Sequence, residues 1–376
     1  MKYATRILHS GCEVDPDVGA LSTPVYQAST FQQHDVDNLG KYQYSRSGNP
    51  TREALENTLA ALENGTHAYA FSSGMAAISS TLAILKQGDH VIATADIYGG
   101  SYRILSRFFS KFGITTTFVD MTRLENIEQA LRPETRLLFL ESPSNPLLRI
   151  TDLTGAVEIA RRHNLITVID NTFMSPYFQR PLDLGIDIAV HSATKFLGGH
   201  SDVIGGAVIT KSDKLASQIY FVQNGFGAIL GPQDCWLVLR GIKTLKARME
   251  SQQQSAMIIA KWLKKQPWVV DVYYPGLPDH PGHEIIRSQA TGFGAVLSFR
   301  TDTVERAKRI MKNVRIWSVA VSLGGVESIL SYPVMMSHAS IPPEERRKLG
   351  ITDELIRLSV GLEDAGDLIE DLEAKP

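Results

Sequence analysis

Short apolar runs alternate with helix-period stretches through much of the chain. The runs 90 to 94, 136 to 140 and 165 to 169 are bounded by turn-forming residues, the pattern of strands buried on both faces. Helical segments at 101 to 112 and 123 to 131 separate the first two, and this alternation predicts an α/β unit with a mostly parallel sheet and crossover helices. Upstream, Leu55, Leu59 and Leu62 recur at helical spacing, predicting an amphipathic helix from Thr51 that leads into the run 69 to 71. Residues 1 to 45 carry little periodicity and several Gly, Pro and Gln positions, so an extended arm reaching a neighbouring subunit is expected there. Beyond Asp234 the pattern becomes a long helical stretch from about 235 to 265, then strands near 269 to 274 and 293 to 299. The expected division is an arm (1–45), a larger domain (46–234) and a smaller α+β domain (235–376).

The strand ends carry the chemistry, because open α/β sheets bind ligands at the C-terminal ends of their strands. Lys195 stands in HSATKFLGGHSD (191–202), where an apolar strand gives out. Partial burial lowers a lysine toward the neutral amine that attacks carbonyls. Ser192 and Thr194 add hydroxyls suited to a phosphate, and Asp170 ends the preceding apolar run. An amine, a carboxylate to keep a pyridine nitrogen protonated and donors for a phosphate are what pyridoxal phosphate requires. Tyr98, beside Gly99 and Gly100, suits stacking on a flat ring, and Asn145 suits a hydrogen bond to the ring's hydroxyl. In 72 to 80, small residues precede an alanine-rich helix and offer bare amides to a dianion. Tyr44 and Arg46, in a turn-rich loop, form a second phosphate candidate. Arg357, flanked by apolar residues at strand spacing, is the candidate for a substrate α-carboxylate. Taken singly, each has a plainer reading: surface lysine, strand-end cap, serine N-cap, solvated loop or structural ion pair.

Composition narrows the partners. With 43% hydrophobic residues among 376, a sizeable core is expected. The 38 basic and 40 acidic residues leave a net charge of −2 without basic blocks, which disfavours nucleic acid as a partner. No apolar run approaches the ~18 residues of a membrane span, and the N-terminus lacks an apolar leader core, so a cytoplasmic protein is expected. Cys12 and Cys235 suggest neither a disulfide framework nor a zinc site. His191, His200 and His338 are expected to be local hydrogen-bonders, with no metal. Gly225-Phe226-Gly227 and Gly292-Phe293-Gly294 lack a third glycine, disfavouring a nicotinamide cofactor, and there is no P-loop.

Assembled in order, YSRSGNPT, FSSGMAAI, DIYGG, ESPSNP, VIDNTF, HSATKFLGGHSD, SLGGVES and LIRLSVGLED resemble the cystathionine lyase and synthase family of pyridoxal-phosphate enzymes, over almost the whole chain. The resemblance implies the aspartate-aminotransferase-like fold (fold type I), an α/β fold with a mostly parallel sheet and a smaller α+β C-terminal domain. It implies that Lys195 bonds the cofactor, that Asp170 faces the pyridinium and that Tyr98 stacks on the ring. Phosphate would be held by Ser73, Gly74, Met75, Ser192 and Thr194, and by Tyr44 and Arg46 of a neighbouring subunit, in at least a dimer and commonly a tetramer. Ser322 and Arg357, with Asn145, would hold the carboxylate of a sulfur amino acid. Members specialised for Cγ chemistry commonly carry a glutamate before the SLGG segment, where this chain has Val321. The expectation is therefore β-elimination of cystathionine to homocysteine, pyruvate and ammonia. γ-Elimination or γ-replacement on an O-acyl-homoserine is the alternative, and a non-catalytic pyridoxal-phosphate-binding protein is the third.

Overall fold

The computed structural model describes residues 1–11, 14 and 18–373; Cys12 lies outside them. Seven strands form the larger sheet: β1 (His67–Phe71), β2 (His90–Thr94), β3 (Thr115–Val119), β4 (Thr135–Glu141), β5 (Ile166–Asp170), β6 (Ile188–Ser192) and β7 (Gly206–Thr210). Their spatial order is β1-β7-β6-β5-β4-β2-β3, and only β7 runs against its neighbours. Alternate residues bury opposite faces: Ile92, Leu138 and Ile169 on one, Val91, Phe139 and Val168 on the other. This two-sided burial explains why the strands read as continuous apolar runs.

Helix α1 (Tyr3–His9) packs onto α2 (Pro50–Glu63), whose Leu55, Leu59 and Leu62 are buried as their spacing predicts. The Tyr3 hydroxyl donates to Leu62 O at 3.0 Å and lies 2.6 Å from Pro176 O. The beginning of the expected extended arm is thus a docked helix, too short for a periodic signal. Strand β3 was also not expected: Thr115, Thr116 and Thr117 look polar, yet β-branched side chains suit a half-buried edge strand. The expected segment 101 to 112 begins as α4 (Gly99–Arg103) and continues through a wider and then a tighter helical turn to Gly113.

The expected long helix after 235 is two helices, Pro232–Ile242 and Leu245–Leu263. Arg248, in the first turn of the second helix, caps the break: its Nη2 donates to Gly241 O at 2.8 Å and its Nε to Thr244 Oγ1 at 2.9 Å, satisfying the end of the first helix. Gly241 itself lies against the backbone of Gly198, where any Cβ would collide with the Gly198 carbonyl. Five strands form the second sheet, β8 (Val269–Tyr273), β9 (Val296–Thr301), β10 (Ser318–Val319), β11 (Ile329–Ser331) and β12 (Leu355–Ser359), in the order β10-β11-β12-β9-β8. Its central strand β12 brings Arg357 to the C-terminal ends of β4, β5 and β6, where the site lies. Among the described residues no helix is long and apolar enough to cross a membrane.

Candidate active site

A cavity of about 510 Å³ opens at those strand ends. It is lined by Ser73, Gly74, Met75, Tyr98, Asn145, Asp170, Ser192, Thr194, Lys195, Val321, Ser322 and Arg357, so nearly every candidate converges on one space. Tyr44 and Arg46 do not line it. Tyr44 is exposed, the Arg46 guanidinium lies 5.5 Å from the centre of its ring, and Arg46 Nη1 donates to Asn224 O at 3.3 Å. A second cleft, of about 710 Å³, gathers none of the candidates, and its charges are already paired, Lys264 with Asp279 and Arg149 with Asp120.

Lys195 follows β6 in a tight turn, in which Lys195 N donates to Ser192 O at 3.2 Å and Gly199 N to Lys195 O at 2.7 Å. Its Nζ donates to Ser322 Oγ at 2.6 Å. Burial first, then the Arg357 charge, pushes the ammonium down to about 8, with Asp170 opposing the shift. Asp170 ends β5; burial pushes its carboxyl up, while bonds from Thr172 restrain it. Thr172 N donates to Asp170 Oδ1 at 3.0 Å, and Thr172 Oγ1 accepts from Ser192 N at 2.8 Å, so one threonine ties the two strand ends together.

The opposite end of the cavity is built for an anion. Helix α3 (Gly74–Leu82) starts there, and its N-cap Ser73 takes the Ala76 amide at 3.0 Å. Gly74 and Met75 stand at the cavity wall in the first turn, where helix amides lack internal partners. A Cβ on Gly74 would stand 2.8 Å from Ser192 Cβ, so glycine lets this helix end approach Ser192 and its hydroxyl.

Arg357 is 2% exposed. Its Nη1 donates to Asn145 Oδ1 at 2.9 Å, and its Nη2 to Ser322 O at 2.7 Å and Ser331 Oγ at 3.1 Å. Its Nε has no partner, and among the described residues it forms no ion pair. A buried guanidinium with no carboxylate in contact, favoured by the more distant Glu141 charge, is costly, and an incoming carboxylate removes that cost.

Three features were not singled out from the sequence. Glu141 ends β4 directly opposite Asp170. Arg103 lines the same cavity from α4 and forms no ion pair among the described residues, and Met336, Ser337 and Ser340 also line it. Of these, Glu141 alone carried a signal, a polar residue at a strand's C-terminal end. The histidines act locally: His191 Nε2 lies 2.5 Å from Glu63 Oε1, His200 Nδ1 2.8 Å from Gly198 O and His338 Nδ1 2.8 Å from Ser337 Oγ.

A depressed lysine, a strand-end carboxylate and a helix-capped anion cradle around one space fit pyridoxal phosphate, and the unpaired Arg357 leaves room for a second, carboxylate-bearing molecule. The sequence model of the family described as "Cys/Met metabolism PLP-dependent enzyme" matches residues 4–375. The chain is 54% identical to the cystathionine beta-lyase MetC of Bacillus subtilis over 369 residues, covering 98% of this chain and 95% of that protein. It is 50% identical to the cystathionine gamma-lyase of the same organism over 372 residues, covering 99% and 98%. The crystal structure of cystathionine gamma-lyase from Lactobacillus plantarum complexed with L-serine superposes with a TM-score of 0.97 at 46% identity, covering 99% of this chain and 98% of that one. With the site's geometry and these likenesses together, the chain belongs to the pyridoxal-phosphate-dependent enzymes of cysteine and methionine metabolism.

Proposed function

We propose that this chain is a cystathionine β-lyase of the cytoplasm, releasing homocysteine, pyruvate and ammonia from L-cystathionine. The observation that carries the choice of β-elimination is the distribution of charge around the cavity. Its lining carboxylates, Glu141 and Asp170, lie at the strand ends on the floor, while the mouth presents the apolar, 65% exposed Val321. Among the described residues no acidic group lines that mouth to orient a distal ammonium for Cγ chemistry, whereas Arg103 suits a distal carboxylate. The 54% identity to a β-lyase supports this reading, and the 50% identity to a γ-lyase keeps γ-elimination as the alternative. Incubating the protein with pyridoxal phosphate and L-cystathionine decides between them. Pyruvate with homocysteine is expected; 2-oxobutyrate with cysteine would mean γ-elimination, and Val321 would not be the determinant.

In this reading Lys195 would bond the cofactor, Asp170 would face the ring nitrogen, Tyr98 would face the ring, and Ser73, Gly74, Met75, Ser192 and Thr194 would hold the phosphate. When bound, pyridoxal phosphate supplies an electron sink for the charge left at Cα. Arg357, braced by Asn145 and the Ser322 carbonyl, grips the α-carboxylate, with the Ser322 hydroxyl beside it. Lys195, which burial shifts toward the neutral amine, would act as the base that takes the Cα proton. Tyr98 or Lys195 would protonate the thiolate that leaves Cβ, and the three-carbon enamine, once released, takes up water to give pyruvate and ammonia. Tyr44 and Arg46, exposed and absent from the lining of their own cavity, are assigned to the phosphate of a neighbouring subunit, within a tetramer built from dimers.

The depressed Lys195 makes a kinetic prediction. Only the neutral amine attacks a carbonyl, so recombination of the apo-protein with pyridoxal phosphate should accelerate roughly tenfold per pH unit at low pH. It should level off above about 8, where the amine is already deprotonated. Following cofactor absorbance after mixing across this range checks the prediction. A rate that keeps climbing toward the range of an ordinary lysine would show that burial does not depress this amine.

A further inference from the structure

Glu141 is 4% exposed, forms no ion pair among the described residues, and faces Asp170 across paired strands. Two carboxyls so placed repel, and a buried carboxylate without a cation is expensive. What compensates is a pair of backbone bonds. Glu141 Oε2 accepts from Tyr98 N at 2.9 Å and Oε1 accepts from Asn145 N at 2.9 Å. These amides belong to different loops, one following β2 and the other following β4. The first loop carries the tyrosine assigned to the ring face. The second carries Asn145, whose Oδ1 accepts from Arg357 Nη1 at 2.9 Å.

We infer that Glu141 is a positioning residue, holding Tyr98 and the Asn145–Arg357 arm as one unit, so that the ring-stacking group and the carboxylate grip keep a common geometry. The inference rests on the roles assigned above to Tyr98 and Arg357. A carboxylate is suited to this position because both of its oxygens accept. Glutamine has almost the same shape but presents an NH₂ to one of the two amides, which loses its partner and meets another donor. The disturbance then passes through Asn145 to Arg357, which already lacks a partner at Nε.

The test uses the holoenzyme and glycine, which has an α-carboxylate but no leaving group, so its binding is independent of β- or γ-elimination. Titrating glycine against the bound cofactor's absorbance gives a dissociation constant. Glu141→Gln is expected to retain bound cofactor, because it touches neither Lys195 nor the phosphate cradle, and to weaken glycine roughly tenfold, about the loss of one good hydrogen bond. In an Asn145→Ala background the same substitution should cost less than about threefold, because the arm through which it acts is already gone. Unchanged glycine binding in Glu141→Gln, even with a lower melting temperature, would assign Glu141 to stability alone and overturn the inference. So would a full tenfold penalty persisting in the Asn145→Ala background. Should Glu141→Gln fail to fold, Glu141→Asp replaces it: the shorter side chain keeps the charge but cannot span both amides, and the same weakening is expected. Failure of both to fold would also make the role structural and overturn the proposal. Release of 2-oxobutyrate from cystathionine would overturn the β-lyase reading and leave this one intact. A wild-type holoenzyme with no glycine response would overturn the site roles and this inference together.

Discussion

Lys195→Ala is expected to lower pyruvate release from cystathionine by ~10⁴-fold, the upper end of what a positioned general base contributes. Among the described residues Lys195 Nζ is the single side-chain amine lining the cavity. The other groups there are poorly placed to replace it as a base. Burial pushes both Asp170 and Glu141 up, and both lie at the strand ends with oxygens already accepting backbone amides. The phosphate cradle at Ser73, Gly74, Ser192 and Thr194 is untouched, so the variant should still take up cofactor without bonding it. Folding should not suffer. A lysine whose folded value is about 8 binds its proton less tightly in the folded than in the unfolded protein, so below pH 8 the charged side chain opposes folding. Removing it relieves that opposition, and the apo-variant should melt at or above the unsubstituted apo-protein at neutral pH. Pyruvate release, cofactor absorbance and a melting curve together check this. Elimination within about tenfold of the unsubstituted rate would sink the assignment of Lys195 as base.

Replacing Arg357 comes next in expected size. Arg357→Met should raise KM for cystathionine by a little over a hundredfold, corresponding to about 3 kcal/mol for truncating one partner of a buried charge pair. The substitution also strands Asn145 Oδ1 and the Ser322 carbonyl, both of which now accept from the guanidinium. Arg357→Lys should recover little of the loss, because a single ammonium cannot span Asn145, Ser322 and Ser331 and still offer two parallel donors to a carboxylate. Cofactor absorbance should be unchanged in both variants, since the carboxylate grip lies apart from the phosphate cradle. Steady-state kinetics beside a cofactor titration separate the outcomes. Equal losses in cofactor affinity and KM would place Arg357 in the cofactor's site rather than the substrate's.

Strand β5 with Asp170 and strand β6 with the following Lys195 turn were legible because their signals are local: an apolar run, a polar stop, then small residues. The same logic exposed the α3 N-terminus and Arg357 on β12. Strand β3 escaped because three consecutive threonines carry no apolar run, and the break between Ile242 and Leu245 escaped because what caps it is an arginine in the first turn of the next helix, bonded to a glycine pressed on Gly198. Glu141 could be seen as a strand end but not as a brace, since its two donors come from different loops. By itself the chain's pattern determined where strands stop and which chemistry waits at each stop, because side-chain period and turn preference act over a few residues. Only the tertiary structure decided that Ser322 meets Lys195, that Arg357 has no carboxylate in contact, that Glu141 spans two loops and that Tyr44 and Arg46 lie outside their own cavity. Those relations depend on contacts between residues far apart in sequence, which exist only once both sheets have packed.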